Sequence, residues 1–142
     1  MRKSLLAALV VTLVACGGDK ATGPQSVTGS YTLHTVNGAN IPQSVYQDAS
    51  QKLEVTAGTM VLNAGNTWSG TLGLRLTDLA TGQQQAEPAI PFDGGTYTLN
   101  GSSLTLNDPT EDLVFTGSVV NGTLTLTVDL GLPSPTTLGY TK

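Results

Sequence analysis

Few side chains in this sequence could do chemistry, and their spacing narrows the choice. His34 is the only histidine. A nucleophilic triad would need it beside a serine and a carboxylate, and no Gly-X-Ser-X-Gly elbow occurs to present the serine. One imidazole with no second histidine gives no three-ligand zinc set, and the sole thiol is far away at Cys16. Four carboxylates remain as candidate general acids or bases: Asp93 before Gly94-Gly95, Asp108 before Pro109, and the neighbours Glu111 and Asp112. All four fall at turns or strand ends, where Asp shapes the backbone and its charge is solvated. A hydrolase working through Asp93 or Asp112 is the enzymatic alternative, and the expectation is a protein that is not an enzyme. No D-x-D-x-D-G loop calls for calcium, and neither Gly94-Gly95 nor Gly17-Gly18 leads into an amphipathic helix that could hold a phosphate. No metal or cofactor is expected.

The aromatic residues offer a different chemistry, the binding of an apolar molecule. Trp68 is the only tryptophan, and it shares a strand face with Leu72, Leu74 and Leu76. With Tyr31, Phe92, Tyr97, Phe115 and Tyr140 it would either line a cavity for a small apolar ligand or plug the core.

These residues need strands to position them. Charged residues make up 11% of the chain against an average near ~25%, while Thr, Gly and Asn are abundant. That composition excludes coiled coils, helical repeats and charge-driven disorder. Apolar residues recur at every second position, as in Leu124, Leu126 and Val128 between threonines, which puts them on one face of a strand. Asn100-Gly101 and Asn121-Gly122 sit between such runs and predict tight hairpins, because a type I′ turn needs positive φ at both central residues. Eight strands are predicted, over about 29–36, 52–63, 67–78, 83–99, 102–107, 112–120, 123–130 and 136–142. The fourth is expected to be irregular at Pro88 and Pro91. A change of alternation in the second predicts a bulge near Gly58-Thr59. Only the first connection, residues 37–51, is long, with one helical turn expected over residues 42–46. Such a loop is either functional or a lid over one end.

Eight sequential antiparallel strands close most simply into an up-and-down barrel, which leaves no exposed edge. The alternative is a β-sandwich of the immunoglobulin type. An eight-stranded barrel is only wide enough to be filled by its side chains or to hold one small ligand.

The N-terminus reads as an address. Met1-Arg2-Lys3 is followed by an apolar stretch over residues 4–14, long enough for a secretory signal and too short to span a bilayer. It runs into Leu13-Val14-Ala15-Cys16-Gly17 and resembles the lipobox of bacterial lipoproteins. The resemblance implies cleavage before Cys16, lipidation of its thiol and attachment to a membrane by two or three acyl chains. Residues 1–15 would be the signal peptide, 16–26 the lipidated Cys16 with a flexible tether that lets the domain stand off the membrane, and 27–142 the folded domain. Gly17 in place of Asp resembles lipoproteins sent to the outer membrane, so a periplasm-facing outer-membrane location is expected. The mature chain would carry four basic residues (Lys20, Lys52, Arg75 and Lys142) against ten acidic ones, which excludes nucleic acid as a partner.

Gly29-Ser30-Tyr31 at the head of the first strand, the long first loop and the closing Leu138-Gly139-Tyr140-Thr141-Lys142 together resemble the lipocalin-like, calycin-type barrels. Those barrels carry Gly-X-Trp where this chain has Tyr31, and the resemblance implies that Lys142 packs over that aromatic ring. The expected function is that of a membrane-anchored envelope lipoprotein with a lipocalin-like barrel that binds a small apolar ligand or acts as an interaction module. The alternative is an immunoglobulin-like structural or adhesive lipoprotein that binds another envelope protein.

Overall fold

The computed structural model describes residues 26–142, without the side chains of residues 87–93. The signal-like stretch, Cys16 and the tether up to residue 25 lie outside the described residues. The chain forms β1 (Gly29–Val36), β2 (Ala39–Asn40), β3 (Gln43–Gln47), β4 (Gln51–Leu62), β5 (Thr67–Asp78), β6 (Gln84–Asn100), β7 (Ser103–Asp108), β8 (Leu113–Val120), β9 (Thr123–Val128) and β10 (Thr136–Thr141). From β4 to β10 each strand pairs antiparallel with the next. β1 then pairs with β10 on one side and with β4 on the other, through Gly29↔Leu62 to Thr32↔Thr59. The result is a closed eight-stranded antiparallel barrel, with β2 and β3 outside the ring. The immunoglobulin-like sandwich is therefore overturned, because every link from β4 to β10 is a hairpin, the longer connection from β1 to β4 also joins neighbours in the ring, and no Greek-key crossover occurs among these strands.

The alternation in the sequence becomes the two sides of the wall. Tyr31, Leu33, Met60, Leu62, Leu72, Leu104, Leu106, Leu124, Leu126, Leu138 and Tyr140 point inward and are no more than 1% exposed. Thr32, Thr59, Thr71, Thr116 and Ser69 stand outside. This is the inverse of a barrel that crosses a membrane, whose outer band is apolar.

Two local expectations change. Residues 43–47 form strand β3 instead of a helical turn, because β4 extends beyond β1 and offers a free edge with which Gln43, Ser44, Tyr46 and Gln47 pair. The bulge in β4 falls between Val55 and Ala57, two residues earlier than Gly58-Thr59. Gly58 itself faces inward, where a Cβ would come within 3.0 Å of Leu33 Cβ, so it keeps step with Met60 and Leu62, and Thr56 becomes the extra residue. The first loop is neither a lid nor a rim. β1 and β4 separate beyond Thr32, and β2 and β3 run into that seam, where Ile41 and Val45 pack against the core.

The meander gives the barrel two different ends. The β4–β5, β6–β7 and β8–β9 turns, the start of β1 and the finish of β10 form one, called here the Asn-Gly end. The loops from β1 to β4, β5 to β6, β7 to β8 and β9 to β10 form the other, the Asp end.

Candidate functional site

The aromatic residues that could have lined a cavity are mostly core. Trp68, Tyr97, Phe115 and Tyr140 are buried in one cluster with the aliphatic side chains. Trp68 meets Phe115 edge to face at 5.9 Å between centroids, and its indole N–H donates to the Asn107 carbonyl at 3.2 Å. The Tyr97 hydroxyl donates to the Asn63 carbonyl at 2.9 Å and so ties the β4–β5 turn to β6. The side chain of Phe92 lies outside the described residues.

Tyr31 also borders a cavity. It anchors a cap on the Asn-Gly end. Its hydroxyl donates to the Val27 carbonyl and draws residues 26–28 across the end of the barrel. The Lys142 ammonium stands 5.9 Å from the centre of the Tyr31 ring and donates to the carbonyls of Ser26 and Thr28. The packing expected of Lys142 over this aromatic is the packing observed. Gly29 makes room for it: its φ is +135°, and a Cβ there would lie 2.6 Å from Lys142 Cε. Beside this cap a cavity of about 260 Å³ opens between the turn tips. Its apolar lining is Val27, Tyr31, Leu99, Val119 and Val120, with Ser102 and the glycines of both Asn-Gly turns at its edge.

At the Asp end the carboxylates hold the loops in shape. Asp48 Oδ1 accepts from the backbone N–H groups of Ser50 and Gln51, both at 2.7 Å, and from the Ser50 hydroxyl. Asp78 Oδ1 accepts from the N–H groups of Ala80 and Thr81, both at 2.9 Å. Asp108, itself buried, does the same for Thr110 and Glu111, and Asp129 for Gly131. These bonds hold the Asp48 carboxyl down at about 2, the N–H groups of Ser50 and Gln51 contributing most. Asp78 is likewise held below the usual carboxylate range by Thr81 and Ala80, against a smaller opposing effect of burial. Asp108, Glu111 and Asp112 are thus brought together, but in a turn and not across a cleft; the Asp93 side chain lies outside the described residues. His34 is exposed on the outer wall, and its backbone carbonyl accepts from Ile41. No group of three His, Cys, Asp or Glu stands close enough to hold a metal ion among the described residues.

Sequence reasoning missed Glu54. Its side chain is largely buried on the outer face between Lys52, at 3.0 Å, and Arg75, whose Nε and Nη2 both reach Oε2. Burial pushes its carboxyl up, but the bonds from Lys52 and Arg75 together outweigh that and leave it lowered. The signal in the sequence was the lone Arg75 among Leu and Thr, opposite a strand that carries Lys52 and Glu54. The same end holds a polar groove of about 560 Å³ along Gln51, Asp78 and the glutamines 83–85. Large apolar side chains also stand exposed there, namely Tyr46, Leu79, Leu113 at 44% and Val114 at 61%. Comparison with family models, curated proteins and solved structures finds no match.

Proposed function

We propose that this chain is a lipid-anchored protein of the bacterial envelope, tethered at Cys16, whose lipocalin-like barrel is a rigid interaction module that binds another envelope protein. The observation that carries this reading is the Asp end. Exposed Leu113, Val114, Leu79 and Tyr46 stand there among carboxylates, the arrangement of apolar anchors and polar surroundings on which protein interfaces are built. The barrel interior supports it too, since the described inward side chains are buried in one core cluster, and an eight-stranded barrel is only wide enough for its side chains or one small ligand. The carboxylates of Asp48, Asp78, Asp108 and Asp129 are engaged in turns and that of Glu54 in ion pairs, which suits a binding role better than acid–base catalysis. The lipobox supports the anchor.

The test is site-directed photocrosslinking in a bacterial host that secretes lipoproteins. A photoreactive residue at Val114 should give one discrete adduct, and the same residue at Thr105 on the barrel wall should give none. Equal labelling at both positions, or native mass spectra showing a stoichiometric small apolar molecule held by the purified chain, would overturn the reading in favour of a carrier.

A further inference from the structure

The carboxylates of this domain are distributed unequally between its ends, and turn chemistry does not require it. Among the described residues the acids are Asp48, Glu54, Asp78, Glu87, Asp93, Asp108, Glu111, Asp112 and Asp129. Six of these lie in the loops of the Asp end or at their edges. Glu54 and Glu87 stand on the halves of β4 and β6 nearer that end, and Asp93 is mid-strand, level with the β7–β8 turn. None lies at the Asn-Gly end. Asn and Asp shape turns by the same local hydrogen bonds and both tolerate positive φ. Yet the turns there use Asn63, Asn66, Asn100 and Asn121, and among the described residues the only charged side chain at that end is Lys142.

Three further features share the acid-free end. Leu99, at 39%, and Val120, at 50%, are exposed beside the tips of the Asn-Gly turns. Between them opens the apolar cavity next to the Tyr31 cap. The described chain also begins at this end, with Ser26 and Val27 on the cavity wall, so the nine residues that separate Cys16 from Ser26 start here. Extended, they reach at most ~35 Å.

From these observations we infer that the Asn-Gly end is a lipid-facing surface. It seats on the bilayer that holds the anchor, with Leu99 and Val120 entering the headgroup boundary, and directs the Asp end away from the membrane. The inference rests on the proposed anchor for its tether, and it replaces a domain that stands off the membrane with one that sits on it. Anionic headgroups repel carboxylates and tolerate an ammonium, and apolar tips gain by entering the interface. The Asp end fails on the same criterion, because its exposed apolar residues are surrounded by charge that would have to be desolvated.

The experiment uses the full chain produced in a bacterial host and reconstituted in vesicles of phosphatidylethanolamine and phosphatidylglycerol at 7:3. A fluorophore is attached at Ser102→Cys on the β6–β7 turn or at Thr110→Cys on the β7–β8 turn, and quenching by nitroxide-labelled lipid is compared. The expected result is several-fold stronger quenching at Ser102, falling to the Thr110 level in the Leu99→Glu, Val120→Glu double variant at unchanged melting temperature. Equal quenching at the two positions, or stronger quenching at Thr110, overturns the inference. The intact mass of the unlabelled chain reads the anchor separately. A lipidated Cys16 with equal quenching refutes only the seating, and a bare Cys16 refutes the anchor. In that case the same two labels, with vesicles added to the purified protein, decide the surface on its own.

Discussion

Tyr31 and Tyr140 both point into the barrel, and their hydroxyls meet opposite fates. The Tyr31 hydroxyl holds the Val27 carbonyl, and its ring carries Lys142. Removing it should therefore empty a core position and release the cap. Tyr31→Ala is expected to lose ~3–5 kcal/mol in denaturant melts, and a loss below ~1 kcal/mol would show that the ring is not part of the core. The Tyr140 hydroxyl is fully buried with no hydrogen-bond partner among the described residues, and burial pushes its pKa far above the usual tyrosine value. An unpaired buried hydroxyl costs ~1–3 kcal/mol of desolvation, so Tyr140→Phe should leave the unfolding midpoint unchanged or raise it. A fall of more than ~1 kcal/mol would mean that the hydroxyl finds a partner in solution. Tyr31 could be picked out from Gly29-Ser30-Tyr31 alone. The isolation of the Tyr140 hydroxyl could not, because it depends on which side chains face it across the closed barrel.

At the scale of elements, the strands were readable wherever a strand carries its own alternation and its own turn. The β6–β7 and β8–β9 hairpins follow from Asn100-Gly101 and Asn121-Gly122, but only the second register centres on its Asn-Gly pair, with both residues at positive φ. The first centres on Gly101-Ser102, with Asn100 paired to Ser103 and Gly101 alone at positive φ, because a tight turn can also take glycine at its first central position. β3 was not readable, because Gln43 to Gln47 has too little pattern to show what the edge of β4 would make of it. The bulge was misplaced for a related reason: Gly58 looks like the break, but only the approach of Leu33 shows that it faces inward. The turn at Asp48 joins β3 to β4, and it yields a pH prediction. Its carboxyl sits at about 2 in the fold and near 3.8 when unconstrained, so its stabilising bonds are complete above the higher value and lost as the pH falls through the lower. Between pH 4 and 2 the N–H groups of Ser50 and Gln51 should lose protection against hydrogen exchange, relative to the unstructured rate, while the barrel strands keep theirs. Asp48→Ala should lack that protection at every pH, and unchanged exchange at Ser50 and Gln51 across this window in the native sequence would contradict the role.

The whole molecule is a ring whose described start and finish meet, with Lys142 bonded to Ser26 and Thr28 and its backbone N–H to the Gly122 carbonyl. Joining Lys142 to Ser26 by a short glycine linker and opening the chain at the exposed β5–β6 turn, between Gly82 and Gln83, should therefore preserve the fold. The permuted chain is expected to show the same far-ultraviolet spectrum and cooperative melting, and a broad, non-cooperative transition would show that the order of synthesis matters to the fold. That closure was predictable from the strand count, whereas the sorting of carboxylates to one end emerged only once the turns had been assigned to ends. The seam between β1 and β10 also sets a timetable. Each hairpin from β4 to β9 can form as soon as its own residues exist, but β1, made first, has no β10 to meet until nearly the whole chain has been made, with over a hundred residues between Thr32 and Thr141. Until that moment the leucines of the interior line an open sheet with two bare edges, the state most prone to aggregate. The last six-residue strand thus acts as a completion signal, and a chain that stops short of Thr136 remains an unclosed sheet.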